Sequence, residues 1–225
     1  MSKRWSLSGY DGLLCANLLG GRAGQHFRRP VSSREKSIAR GSFFGQFFVV
    51  AAVMPNLTVE LVDKFRRVDL IDLAEATREA ISDGIGFGWV RPPSHQRLEA
   101  YWKGVLVVPE RDLFVGRLDE AVAGSIQLLR PPPNFEAGVF SASIDTHFVA
   151  PWARGHGLAK MLLEAAEEAA LAAGLTVMRL DVRESQERAV ALYESCGYKR
   201  WGTLQKYHLV DGEFVAGYFY VKDLA

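Results

Sequence analysis

From residue 158 the chain reads Leu-Ala-Lys-Met-Leu-Leu-Glu-Ala-Ala-Glu-Glu-Ala-Ala-Leu-Ala-Ala, with Leu158, Met161, Leu162, Ala165, Ala169 and Ala172 along one stripe. Glu164, Glu167 and Glu168 face the other way, so the pattern predicts an amphipathic helix over 158–173 that Gly174 ends. Upstream, Thr58 to Val62 reads as a strand, and Leu70, Leu73, Ala74, Thr77 and Ile81 mark a helix over 69–83. Gly84, Gly86 and Gly88 open a loop, after which Ser94 caps a second helix reaching Gly104, with Leu98, Tyr101 and Trp102 on one face. Asp112–Arg117 and Glu120–Leu129 are β-like about a turn at Leu118–Glu120, and Pro131–Pro133 closes the pair. Ser141–Val149 is the next strand, ended by Pro151. Beyond the long helix come a strand at Val177–Val182, a short helix at Glu187–Cys196 stopped by Gly197, and a strand entered at Tyr198–Gly202. Thr203–Leu209 and Val215–Val221 form a hairpin-like pair about Asp211-Gly212. The order β-α-α-β-β-β-α-β-α-β-β describes a single α/β domain over 57–225, a mixed central sheet flanked by helices.

No useful apolar period precedes Phe43, and glycines recur at 9, 12, 20, 21, 24, 41 and 45. Residues 1–56 carry eight basic side chains against two acidic ones, a net of +6, whereas the rest holds 19 against 24, a net of −5. This leader therefore reads as a poorly ordered basic extension rather than a domain. A targeting peptide is a competing account, weakened by a positive region of about 40 residues before the apolar run, and so is a functional chain that starts at Met54. The run itself, Phe43 to Met54, spans 12 residues and contains Gly45 and Gln46, short of the roughly 20 that a membrane helix requires. No membrane span is expected. Cys15 and Cys196 are too few for a disulfide scaffold, which favours a reducing, cytoplasmic setting. A formal charge of +1 across the 225 residues argues against a specific nucleic-acid partner.

Chemistry concentrates where a strand, a glycine-containing turn and the long helix follow one another, from Asp145 to Ala159. Amides freed at Arg154 to Leu158 at a helix start can hold a phosphate, Gly155 and Gly157 remove β-carbons that would obstruct it, and Arg154 adds a charge-assisted contact. An ordinary strand-to-helix turn has the same glycines. The segment is neither a P-loop nor a Gly-x-Gly-x-x-Gly turn.

Arg154, Gly157 and Ala159, with Val149 and Pro151 before them, make the sequence resemble the GNAT superfamily of acyl-CoA-dependent N-acyltransferases. Leu180, Val182, Ala189, Leu192, Tyr193, Glu194, Gly197 and Tyr198 match the family's second signature, and the resemblance covers about three quarters of the chain. It implies acetyl-CoA, or another short acyl-CoA, as donor and an amine-bearing small molecule or peptide as acceptor, with no metal. A homodimer is compatible with it. Backbone groups of Phe148, Val149 and Ala150 would pair with the pantetheine arm, and Arg154, Gly155, His156, Gly157, Leu158 and Ala159 would hold the pyrophosphate. The strands at Ser141–Val149 and Val177–Val182 would splay to admit the thioester, and Tyr193 would protonate the departing thiolate. Gln186 stands where the family often has an asparagine that contacts CoA.

Collapse of the zwitterionic intermediate formed by amine and thioester is helped by a hydroxyl near sulfur, which gives the Tyr193 role its own physical basis. Asp145 and His147, alternating with Ile144 and Phe148, are expected on one face, where either could take the amine proton directly or through water. Ordered water alone is a further route. His95, His156 and His208 lack metal-ligand spacing, and Cys196 reads as an apolar filler. Phe87, Trp89, Tyr101, Trp102, Tyr207, Tyr218 and Tyr220 could line the acceptor site or cover the sheet. Glu99 and the domain's negative balance favour a cationic amine. A non-catalytic CoA-sensing or protein-interaction domain is the competing function, which the presence of Tyr193 disfavours.

Overall fold

The computed structural model describes Arg4–Ser6 and residues 55–85 and 87–225. Its eight strands are β1 (Arg4–Ser6), β2 (Leu57–Val62), β3 (Arg111–Leu118), β4 (Ala121–Leu129), β5 (Ser141–Val149), β6 (Val177–Arg183), β7 (Lys199–Val210) and β8 (Glu213–Asp223). The helices are α1 (Arg67–Ser82), α2 (His95–Leu106), α3 (Leu158–Ala172) and α4 (Glu187–Ser195). The strands lie side by side in the order β1-β2-β3-β4-β5-β6-β8-β7. All neighbours are antiparallel except β5 and β6, the parallel pair that the long α3 crossover requires.

From residue 57 onward this is the α/β order expected from the sequence. β1 is additional: its three residues pair with Thr58–Glu60, and a segment that short carries no alternation to reveal it. The expectation of a poorly ordered extension otherwise falls outside the described residues. β7 is one strand of 12 residues rather than two pieces meeting near Gly202. Register shifts between Arg200 and Gly202 and between Leu204 and His208 break its alternation, which is why the sequence pattern fragments there.

Apolar side chains are buried on both faces of the sheet. Leu158, Leu162, Leu163 and Ala166 of α3 pack with Ile126 and Leu128 of β4, Ala142 and Ile144 of β5, and Leu180 of β6. On the other face Leu70, Leu73 and Trp102 from α1 and α2 cover Leu113 and Val115 of β3 and Phe148 of β5. Trp102 Nε1 donates to Thr77 Oγ1 (3.0 Å), and that hydroxyl donates to the Leu73 carbonyl (2.6 Å), so α2 is bonded as well as packed to α1. Arg117 of β3, 3% exposed, bonds Glu60 of β2 (2.5 Å) and Asp69 of α1 (2.9 Å), fixing where α1 begins. Burial works to raise the Asp69 pKa, but hydrogen bonds from Arg117 and Arg66 prevail and hold it below its usual range.

Candidate active site

β5 and β6 are paired only from Ser141–Ser143 to Val177–Arg179. Beyond those residues the ladder ends, and a cavity of about 300 Å³ lies between Ile144–His147 and Leu180–Arg183, with Phe87 and Tyr193 among its walls. The splayed pair implied by the resemblance is therefore present. A wider groove of about 580 Å³, between the start of α1 and α2, contains none of these groups.

One irregularity arranges the β5 wall. Asp145 pairs with Gln127 and Phe148 with Ser125, so β5 carries one more residue than β4 across this interval, and Thr146 sits at φ +47°. For a β-branched residue this left-handed conformation is strained. It is held by the Asp145 carboxylate, which accepts from the Thr146 amide (2.7 Å) and hydroxyl (3.1 Å), and by Ser125 Oγ donating to the Thr146 carbonyl (3.3 Å). The bulge shifts the strand's phase. Ile144 belongs to the core under α3 and Phe148 to the core under α1 and α2, although four residues of regular strand would put them on one face. The expectation that Asp145 and His147 share a face is thereby corrected.

His147 points toward α3 and α4. Its Nε2 lies 3.0 Å from the Ala159 carbonyl, which can only accept, so Nε2 carries the proton. Nδ1 is then the acceptor for the Tyr193 hydroxyl at 3.0 Å. Burial pushes His147 down to about 4, against the opposing pull of the Ala159 carbonyl, and the ring is neutral at pH 7. Burial also raises the Tyr193 pKa well above the ordinary phenol value, so the phenol keeps its proton. Asp145 turns instead to Arg111, whose Nη1 is 3.1 Å away and also bonds Gln127 Oε1 (2.6 Å).

Past its cavity wall the chain leaves β5 through a short helical turn and enters α3 at Gly157. Gly155 and Gly157 have φ +84° and +88°, yet a β-carbon at either would meet nothing within 4 Å. Backbone conformation, rather than crowding by the protein, demands glycine at both. Amides from Gly155 to Lys160 make no backbone hydrogen bond to described residues, and so stand open at the start of α3. The Arg154 amide is not among them, since it faces the Pro151 carbonyl (3.5 Å). His156 turns its Nδ1 to the Ala153 carbonyl (3.2 Å). Ala150 commits its amide to Ala123 of β4 (2.7 Å), whereas the Val149 carbonyl accepts from Arg154 Nε (3.2 Å).

Gln186 lines the cavity and Arg154 follows the end of β5, and both are tied to the end of α1. Arg154 Nη1 is 2.5 Å from Asp83 Oδ2, while its buried Nη2 has no partner among the described residues. Gln186 Nε2 donates to the Gly84 carbonyl (3.0 Å).

Three cavity groups went unnoticed or unassigned in the sequence, Asp181 and Arg183 of β6 and His208 of β7, and beside them stands Tyr207 of β7, one of the aromatics expected to line the acceptor site or cover the sheet. The Tyr207 hydroxyl donates to Asp181, and Arg183 Nε donates to His208 Nδ1 (3.0 Å). Tyr207 reaches β6 by lying across β8 at Gly217, where a β-carbon would sit 2.3 Å from the Tyr207 ring. The period-2 alternation of β6 was a usable signal for Asp181 and Arg183; nothing local announces that β7 folds back over them. Among the described residues, no helix is long and apolar enough to cross a membrane.

Residues 72–198 match the acetyltransferase (GNAT) family. An N-acetyltransferase from Azospirillum brasilense, uncharacterized and encoded in the hisH-hisA intergenic region, is 56% identical over 135 residues, or 60% of this chain and 80% of that protein. An N-acetyltransferase from Staphylococcus aureus Mu50 has a similar fold, with a TM-score of 0.64 at 20% identity over 76% of this chain and 99% of the other. A phosphinothricin acetyltransferase from Sinorhizobium meliloti, solved in complex with AcCoA, gives a TM-score of 0.62 at 22% identity over 77% and 90% of the two chains. With a parallel strand pair that splays beside a glycine-started helix, and with the family match spanning both, this chain belongs to the GNAT family and is an N-acetyltransferase.

Proposed function

We propose that the protein transfers an acetyl group from acetyl-CoA to a primary amine by direct attack. The observation that carries this is the buried Tyr193 hydroxyl in the wall of the cavity between the splayed β5 and β6, together with the open amides from Gly155 to Lys160 where the chain passes from β5 to α3. The amides suit a pyrophosphate, with Arg154 Nη2 as a further donor. β5 beyond its pairing with β6 suits the amide groups of a pantetheine arm, which would compete with Arg154 Nε for the Val149 carbonyl. That a protein of this fold was solved with AcCoA supports the assignment.

The amine lone pair attacks the thioester carbonyl carbon, the C–N bond forms, and the carbonyl oxygen takes up negative charge. Collapse breaks the C–S bond, and the thiolate takes a proton from Tyr193, whose hydroxyl hydrogen must first turn from His147 Nδ1 toward sulfur. His147 is a poor base for the amine, because one ring nitrogen holds the proton and the other is already occupied. Asp145 Oδ1 accepts twice from Thr146, but Oδ2 accepts from Arg111 alone among the described residues, so it keeps a lone pair to which the amine proton passes by way of water. Protons balance over the cycle: sulfur keeps the one from Tyr193, Asp145 gives the amine's proton back to water, and water returns one to Tyr193.

Purified protein incubated with acetyl-CoA and a panel of amines, followed by thiol release and acceptor mass, tests the proposal. Amine-dependent thiol release with a mass gain of one acetyl group is expected. Acetyl-CoA binding without turnover on any amine would replace catalysis by cofactor sensing.

A further inference from the structure

The partly buried arginines of this fold are paired with carboxylates: Arg111 with Asp145 (3.1 Å), Arg117 with Glu60 (2.5 Å), Arg130 with Asp112 (2.9 Å) and Arg154 with Asp83 (2.5 Å). Arg183 departs from that pattern. It lines the catalytic cavity, and among the described residues no carboxylate pairs with it. Its neighbours are engaged elsewhere: Asp181 by the Tyr207 hydroxyl, and Glu184 by the Ala216 amide (3.2 Å) and Tyr218 (3.4 Å). Nε donates to His208 Nδ1 (3.0 Å), which fixes the plane of the guanidinium and leaves its two Nη groups as an open fork.

That fork has the geometry for a carboxylate. Burial lowers the Arg183 pKa, an expense that an incoming anion would offset. A CoA phosphate is the less suitable anion. Leu180 and Val182 of β6 pack against the core under α3, so alternation directs Asp181 and Arg183 to the sheet face opposite the helix whose start offers the open amides. On that face Asp181 lies two residues away, about 6.6 Å along the strand, and brings a negative group to the same cavity. A cation site beside an anion site suits an ammonium and a carboxylate carried close together.

We propose that Arg183 selects the acceptor by its carboxylate, and that the acceptor is a free α-amino acid rather than a simple amine or a peptide amino terminus. The amine enters beside Asp181 as ammonium and gives one proton to water before its lone pair attacks, while the carboxylate is held by the Arg183 fork. This rests on the acyl-transfer function proposed above and narrows it.

The full chain is assayed with acetyl-CoA against the common L-amino acids, their carboxamides, short peptides and spermidine. At least one free amino acid should be acetylated with a kcat/KM about 10-fold or more above that of its carboxamide, the loss expected when a charge-assisted hydrogen-bond pair is removed. Arg183→Met should lower kcat/KM for the amino acid by about 10- to 100-fold, lower that for the carboxamide by much less, and leave acetyl-CoA affinity intact. Arg183→Lys, which keeps the charge and loses the fork, should fall between the two. The substrate comparison needs no variant and stands even if Arg183→Met fails to fold. Equal turnover of amino acids and carboxamides, or turnover confined to peptides or spermidine, overturns the proposal and leaves acyl transfer standing. A loss of acetyl-CoA affinity in a folded Arg183→Met protein overturns it too, by placing Arg183 on the donor. Acetyl-CoA binding with no thiol release on any amine overturns both.

Discussion

Tyr193 and His147 form a pair whose proton positions follow from one carbonyl, because Ala159 can only accept and so sets the tautomer of the ring between them. Replacing Tyr193 by Phe keeps the ring packed against Tyr198 and Tyr220 but removes the hydroxyl. The chemical step should slow by about 10- to 100-fold, the low end for general acid catalysis, because water partly substitutes and a thiolate departs readily. Acetyl-CoA affinity should stay near its original value; pre-steady-state acyl transfer on a verified amine separates the two, and an unchanged chemical rate across pH would return Tyr193 to a packing role. His147 predicts an acid limb of stability. Folded, it stays neutral down to about 4, whereas an unfolded imidazole takes its proton near 6.5, so the unfolded chain binds more protons between those values. The resulting stabilisation, at most about 3 kcal/mol, is complete above pH ~6.5 and lost as pH falls toward 4. Chemical denaturation at pH 7 and pH 4.5 should show a smaller drop for His147→Gln than for the parent; parallel curves would dismiss the effect. Gly157 shows how conformation alters a residue's apparent tolerance. A glutamate there suits a helix start by charge, but at φ +88° it would be strained, so its cost to cofactor binding could not be read apart from its cost to the fold.

Periodic elements were legible and departures from period were not. The spacing of Leu158, Leu162 and Ala165 marks α3 to within a residue, and Ser94 caps α2 as its position suggested, accepting from the Arg97 amide (3.4 Å). The Asp145–His147 relation was misread because one extra residue in β5 is invisible to an alternation count, and the strand partner that exposes it, Ser125 to Gln127, is distant in sequence. β7 shows the same effect on a larger scale. Between Leu204 and His208 it advances four residues while β8 advances two, from Gly217 to Val215, and the slack lets Tyr207 lie over Gly217 to reach Asp181. Gly217→Ala should therefore dislodge Tyr207. A β-carbon 2.3 Å from the ring is a contact that no rotation of a flat side chain relieves. We expect a loss of about 1–3 kcal/mol in denaturant melts, the usual cost of an overpacked site. Turnover should fall further than the melt alone explains, since Asp181 loses its partner; a variant with parent stability and parent turnover would show that β7 does not arrange the cavity.

Across the whole molecule, the sheet from β2 to β8 and both of its cores are built from residues 57 to 224, and so is every cleft group from Asp83 to His208. Arg4–Ser6 adds three pairings to β2, which is already paired along its full length to β3 from Leu57 to Val62. Each backbone pairing contributes a net of about 0.5–1.5 kcal/mol, and ordering a residue to make it costs a comparable amount, so losing β1 should change stability by about 1 kcal/mol. For a domain of this size that is a shift in Tm of about 2–4 °C. Removing residues 1–53 should thus leave a cooperatively unfolding protein that binds acetyl-CoA like the full chain, with β2 as the new edge. Thermal melts and acetyl-CoA titrations of both forms make the comparison. The compositional break, +6 before residue 57 and −5 after it, leads to the same boundary, but charge alone cannot distinguish a dispensable leader from one that supplies a strand. A shortened chain that melts without cooperativity, or whose affinity for acetyl-CoA collapses, would make the basic leader part of the enzyme's fold.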